Sequence, residues 1–151
     1  MTTRRASKVV ALALTALVLL TACSHLPFIG ESSNGMKNNV DTTAIAAAIT
    51  ETSASIESTL VDTSLDGLTT RLYVRPVITT DGLTSSELDA LLRVAFEGSR
   101  GQVSAIEVRT VDGDDEPVDI KTAASGLTIQ YLDNLNSVTY STVYLEKAYA
   151  E

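Results

Sequence analysis

Cysteine is almost missing from this chain, with one in 151 residues, at position 23. A lone thiol closes no internal disulfide and builds no thiolate metal site, so the fold must hold by packing alone. Histidine is as scarce: His25 stands alone, with nothing near it in sequence to orient it or share a metal. A Ser, His and Asp constellation therefore has no histidine in the body of the chain. There is no tryptophan, and no Gly-rich phosphate loop, HExxH pattern or internal repeat is present. No apolar run approaches the roughly 20 residues of a membrane-spanning helix; the longest, Val9 to Leu20, closes at Thr21. Cations are outnumbered, 11 Lys and Arg against 19 Asp and Glu. That balance disfavours nucleic acid and anionic lipid as partners, and nothing in the sequence asks for a cofactor.

What is there begins with the leader. Arg4, Arg5 and Lys8 precede the Val9 to Leu20 run, and Thr21-Ala22-Cys23 follows it. A basic start, a short apolar core and small residues before a cut are the three regions of a secretory signal. Leu20-Thr21-Ala22-Cys23 resembles the lipobox of bacterial lipoproteins. The resemblance covers the leader only. It implies cleavage between Ala22 and Cys23, acylation of the Cys23 thiol, and a mature protein anchored in the bilayer on the extracytoplasmic side of the cell membrane. One acyl chain binds a membrane marginally and two bind it stably. Arg4-Arg5 has the pairing of a twin-arginine signal, but Ser7 stands where that motif wants an apolar residue, which favours the general secretory route.

Three segments follow from this reading: a signal peptide over 1–22, a flexible tether over 23–40 and a single domain over 41–151. Removal of the leader leaves 129 residues, enough for one core, with eight basic residues against 19 acidic ones, a net of −11. The tether is rich in Ser, Asn and Gly and poor in apolar residues beyond Ile29, too little to offset ordering entropy.

Within the domain, Ile45, Ile49, Ile56 and Leu60 share a stripe at helical spacing, which predicts a first helix from Asp41 to about Asp62. Its polar face lacks Lys and Arg, so it packs on a core or a partner helix rather than on lipid. Ser64 to Gly67 reads as a turn, and Leu68 to Ile78 as a strand with Leu72, Val74, Pro76 and Ile78 on one side and Arg71, Tyr73, Arg75 and Val77 on the other. Pro76, which has no N–H, should face an edge, a bulge or a strand end. Asp81-Gly82 marks a turn. Thr84-Ser85-Ser86-Glu87 is a capping box ahead of Leu88, Leu91, Leu92, Ala95 and Phe96, with Gly98 and Gly101 as stops. Val103 to Val111 predicts a strand, Asp112 to Glu116 an acidic turn and Pro117 to Lys121 a returning strand. Residues 123–127 read as a short helix or a loop, and 128–132 as its continuation or a further strand. Val138 to Leu145 alternates like a strand before a charged, helical tail from Glu146. The sum is an α+β two-layer sandwich, a mostly antiparallel sheet with helices on one face, of the split βαβ or ferredoxin-like kind.

Two clusters stand out as candidate sites. Asp112, Asp114, Asp115 and Glu116 are oxygen-rich enough for Ca²⁺ but lack the spacing and distal Glu of a calcium loop, so a solvated hairpin tip competes with a metal site. Arg71, Tyr73, Arg75 and Arg109 fall on the sheet face opposite the helices, with Glu107, Asp119 and Lys121 beside them. Arg and Tyr are enriched at interfaces, while pairing of these arginines with Glu107 and Asp119 would make the same face merely structural. The expected function is that of an envelope lipoprotein, a non-enzymatic binding or accessory module for a protein or polymer. A small hydrolase using a carboxylate pair is the alternative.

Overall fold

The computed structural model describes residues 40–150. The leader, Cys23, His25 and the rest of the tether up to residue 39 lie outside the described residues. Asp41 starts the first helix, α1 (Thr42–Thr50), by accepting the Ala44 N–H at 2.9 Å, a donor that the first turn leaves open. The helix stops at Thr50 and does not run on to Asp62. Thr50 Oγ1 donates to the Ala46 carbonyl, Thr52 Oγ1 donates to the Ile49 carbonyl, and Ser53 Oγ accepts the Ser55 N–H. Hydroxyls engaged in this way compete with the helical ladder. Ile56 and Leu60 therefore leave the helical stripe for a strand, β1 (Ile56–Asp66), in which Ile56 is buried opposite Ile78 and Leu60 faces solvent. The β-branched Thr59, Val61 and Thr63 suit that strand better than a helix.

A two-residue connection joins Asp66 to Thr69 at the start of β2 (Thr69–Ile78). Gly67 takes φ +63° and Leu68 stays negative, the pattern of a type II′ turn whose twist matches a hairpin. The turn thus falls later than the Ser64 to Gly67 expectation. Along β2, Leu72, Val74, Pro76 and Ile78 are buried while Arg71, Tyr73, Arg75 and Val77 turn the other way. The capping box forms at Thr84 and Glu87, and α2 (Ser85–Ser99) buries Leu88, Leu91, Leu92, Ala95 and Phe96. Gly98 lies inside this helix and does not end it, whereas Gly101, at φ +73°, follows its end.

Strand β3 (Ala105–Val108) runs parallel to β2 as its direct neighbour. No strand intervenes between them, as a split βαβ would require; the sheet order is β1-β2-β3-β5-β4 with three antiparallel pairings and one parallel. Pro76 explains why β3 is short. Arg109 N donates to the Val74 carbonyl and Val111 N to the Pro76 carbonyl, so a regular parallel ladder would have residue 76 donate to Arg109. A proline has no proton for that bond. The ladder lapses there and resumes as one bridge between Val77 and Val111.

Beyond the acidic turn, Pro117 to Lys121 is not a strand. It makes one bridge, Val111 to Pro117, and is then held by Thr110, whose carbonyl accepts the Val118 N–H and whose hydroxyl donates to the Val118 carbonyl. The Asp119 carboxylate accepts the N–H groups of Lys121 and Thr122 and so opens α3 (Lys121–Ser125). A two-residue β4 (Leu132–Asp133) and β5 (Val138–Ser141) complete the sheet. The expected strand to Leu145 ends early: the Thr142 N–H and hydroxyl both donate to the Ser104 carbonyl at 3.0 Å, the last rung toward β3, and from Thr142 the chain continues as α4 (Thr142–Tyr149).

Buried side chains of all four helices join the β2, β3 and β5 residues Leu72, Val74, Ile106, Val108, Val138 and Tyr140 in one core. The helices lie on that face, and the architecture is an α+β sandwich of two layers. Among the described residues no helix is long and apolar enough to cross a membrane. At the far edge of the sheet, the side of β1 away from β2 has no strand partner among the described residues. Alternation of the antiparallel ladder directs the main-chain groups of Thr59, Val61 and Thr63 outward there, and the Thr63 N–H is engaged by Asp62 Oδ1 at 2.7 Å.

Candidate functional site on the open sheet face

The register brings the outward residues of the five strands into rows. One row runs Asp62, Tyr73, Glu107, Thr139 and Leu132, and the next runs Ser64, Arg71, Ala105 and Ser141. Leu60 and Arg75 form a third, with Arg109 one residue beyond the end of β3. All four interface candidates, Arg71, Tyr73, Arg75 and Arg109, therefore lie on this one face. Seven of the 11 cations fall within residues 40–150, so three of those seven are gathered on the open face of an otherwise acidic domain.

Their chemical states differ. Arg71 is held between Asp66 (2.6 Å) and Glu107 (2.9 Å) and lies 5.9 Å from the Tyr73 ring centroid. Burial opposes its charge, but the Glu107 hydrogen bond and the fields of Tyr73, Asp66 and Glu107 outweigh burial and raise the guanidinium pKa. Glu107 is fixed from its other side by the Ser137 hydroxyl at 2.7 Å. Arg75 reaches Asp115 at 3.0 Å, with both side chains well exposed, while its Nε is buried without a partner among the described residues. Arg109 is exposed and has no ion-pair partner among the described residues. The pairing of these arginines with Asp119 does not form, because that carboxylate caps α3; Lys121 pairs instead with Asp133 at 2.8 Å.

Two concavities result. A groove of about 380 Å³ is lined by Leu60, Asp62, Tyr73, Arg75, Glu107 and Arg109. A larger hollow of about 730 Å³ lies over Ala105, Thr139 and Ser141 and is bounded by Arg71, Ser104, the 127–132 segment and Tyr144. This second hollow is not foreseen from the sequence. Its floor is low because Ala105 and Ser141 are small residues in the same row, a coincidence visible only once the register is known. Tyr144, which an unbroken strand would place with Val138 and Tyr140 on the core face, is brought to the rim by the switch to helix at Thr142.

The acidic turn is engaged within itself. Asp112 Oδ1 accepts the N–H groups of Asp114 and Glu116 at 2.9 Å each, and Asp115, at φ +65°, turns to Arg75. Among the described residues, no three His, Cys, Asp or Glu side chains converge as a metal site. Nor does a general acid stand out: Glu87 and Asp119 both have lowered pKa values, Glu87 through the Ser53 hydroxyl first and Asp119 through the Thr122 hydroxyl first. A carboxyl poised to donate a proton near neutrality needs the opposite shift. Compared with protein-family models, with curated proteins and with solved structures, the chain matches none.

Proposed function

We propose that this protein is an exported lipoprotein, anchored through acylated Cys23 on the extracytoplasmic side of the cell membrane, and that its folded domain is a non-enzymatic binding or accessory module of the cell envelope. The anchoring rests on the basic start, the Val9 to Leu20 core and the Leu20-Thr21-Ala22-Cys23 sequence. The binding role rests on one observation, the exposed groove in which Tyr73 and Leu60 lie beside Arg75 and Arg109. An aromatic ring and an aliphatic side chain flanked by guanidinium groups form the kind of centre on which interfaces are built. Arg109 has no counter-ion among the described residues and the exposed Arg75–Asp115 pair, 3.0 Å apart, is worth little to stability, so the groove suits an acidic segment of an envelope protein, such as a subunit of a larger membrane complex.

Crosslinking in intact cells, capture of the full-length protein and mass spectrometry test this reading. A reproducible envelope partner that is lost in the Arg75→Glu/Arg109→Glu variant supports it. Unchanged capture in that variant removes the groove from the interface. Cys23→Ser tests the anchor separately: it should abolish labelling by a palmitate analogue and release the protein from the membrane fraction.

A further inference from the structure

We propose that the larger hollow over Ala105 and Ser141 is a binding site for a neutral saccharide. At about 730 Å³ it lies within the roughly 300–1,000 Å³ range of small-ligand sites, and its walls define the class of guest. Tyr131 and Tyr144 supply aromatic rings. The Thr128 and Ser141 hydroxyls and the Gln130 amide line the hollow and make no hydrogen bond among the described residues. Among the described residues Arg71 is the only charged one in the lining, and its guanidinium is already engaged by Asp66 and Glu107.

Each feature narrows the choice. An anionic or cationic guest would meet no uncompensated charge. An acyl chain would bury Thr128, Gln130 and Ser141 without partners, which a site does not tolerate well. A pyranose ring has an apolar C–H face to lie against a tyrosine and a rim of hydroxyls to match hydroxyl and amide groups, so it meets both kinds of wall at once. The inference stands apart from the arginine groove and does not depend on where the protein is exported.

The chain has no tryptophan, so the emission of the full-length protein in lipid nanodiscs comes from its five tyrosines, two of which, Tyr131 and Tyr144, line the hollow. Titration with maltotriose and with triacetylchitotriose should give a saturable change for at least one of them at or below millimolar concentration. Tyr144→Ala should weaken that binding by about tenfold, the loss of one aromatic contact, and Gln130→Ala should weaken it several-fold. Both residues are exposed, and circular dichroism checks that the fold is kept. Glu57→Gln, exposed on β1 and outside both concavities, should leave the titration unchanged. No response to either glycan at millimolar concentration overturns the proposal, as does a response that survives Tyr144→Ala. Saturable binding of decanoate in place of both glycans also overturns it and assigns the hollow to an amphiphile.

Discussion

Gly98 in α2 packs directly under Ile45 of α1: a β-carbon on Gly98 would come within 2.6 Å of Ile45 Cγ1 and 3.0 Å of its Cδ1. The glycine is therefore a packing residue, and its side chain is absent so that the helices can close on the core. Gly98→Ala should destabilise the fold by about 1–3 kcal/mol through overpacking, although alanine is the better helix former by about 1 kcal/mol. Combined with Ile45→Ala the cost should be less than the sum of the two single changes. Urea denaturation of the double-mutant cycle checks this, and strict additivity would show that the two side chains do not compete for the space.

Acid should weaken the junction of α1, β1 and α2 at Glu87. Its carboxylate accepts from the Ser53 and Ser55 hydroxyls and from the N–H and hydroxyl of Thr84, which hold its pKa at about 2 against an ordinary value of 4.5. A folded-state value below the unfolded one means that the stabilisation is complete above the unfolded value and is lost as pH falls from about 4.5 toward 2. Glu87→Gln should be less stable than the parent at neutral pH, and the gap should narrow through that acid window. A gap constant with pH would mean that the ionised form is not what the serines hold.

Tyr140→Phe should be neutral or stabilising, by up to about 1 kcal/mol. The ring is fully buried and its hydroxyl has no partner among the described residues; burial first, and the field of Tyr131 second, raise its pKa. Removing an unpaired buried hydroxyl relieves a desolvation penalty while the ring packing stays. Thermal unfolding of the variant decides it, and a clear loss of stability would reveal a partner for that hydroxyl.

Arg71 and Arg109 should separate cleanly. Arg71→Ala leaves half-buried Glu107 without its cation and should cost on the order of 1 kcal/mol. Arg109→Ala should change stability by less than about 0.5 kcal/mol. Denaturation of both single variants measures the difference. Arg75 and Arg109, rather than Arg71 with Arg75, are therefore the pair with which to probe docking.

Local signals carried much of the fold. The capping box, the apolar face of α2 and the alternation of β2 are set by neighbours in sequence, and they appear where the sequence places them. The interface candidates share a face for the same reason, since alternation alone puts Arg71, Tyr73 and Arg75 together. What was not legible depended on distant partners. Ile56 and Leu60 satisfy a helical stripe, but β2 offers them a ladder. Val138 to Leu145 alternates throughout, but β3 offers it a ladder only as far as the rung between Thr142 and Ser104, and the chain goes on as a helix. Asp119 alternates with Val118 and Ile120, but its short carboxylate reaches the N–H groups just ahead of it. The larger hollow needs the registers of β3 and β5 and the course of 127–132 together, and no local pattern encodes their combination.

The outer edge of β1, unpartnered among the described residues, has a practical consequence. Glu57, Asp62 and Asp66 are exposed along it, so two copies approaching edge to edge bring like charges together, and this repulsion stands where a covering strand otherwise would. Colloidal behaviour at high concentration is then governed by acidity and ionic strength more than by heat. A dilute-acid step in purification should turn a clear solution cloudy before it melts the fold.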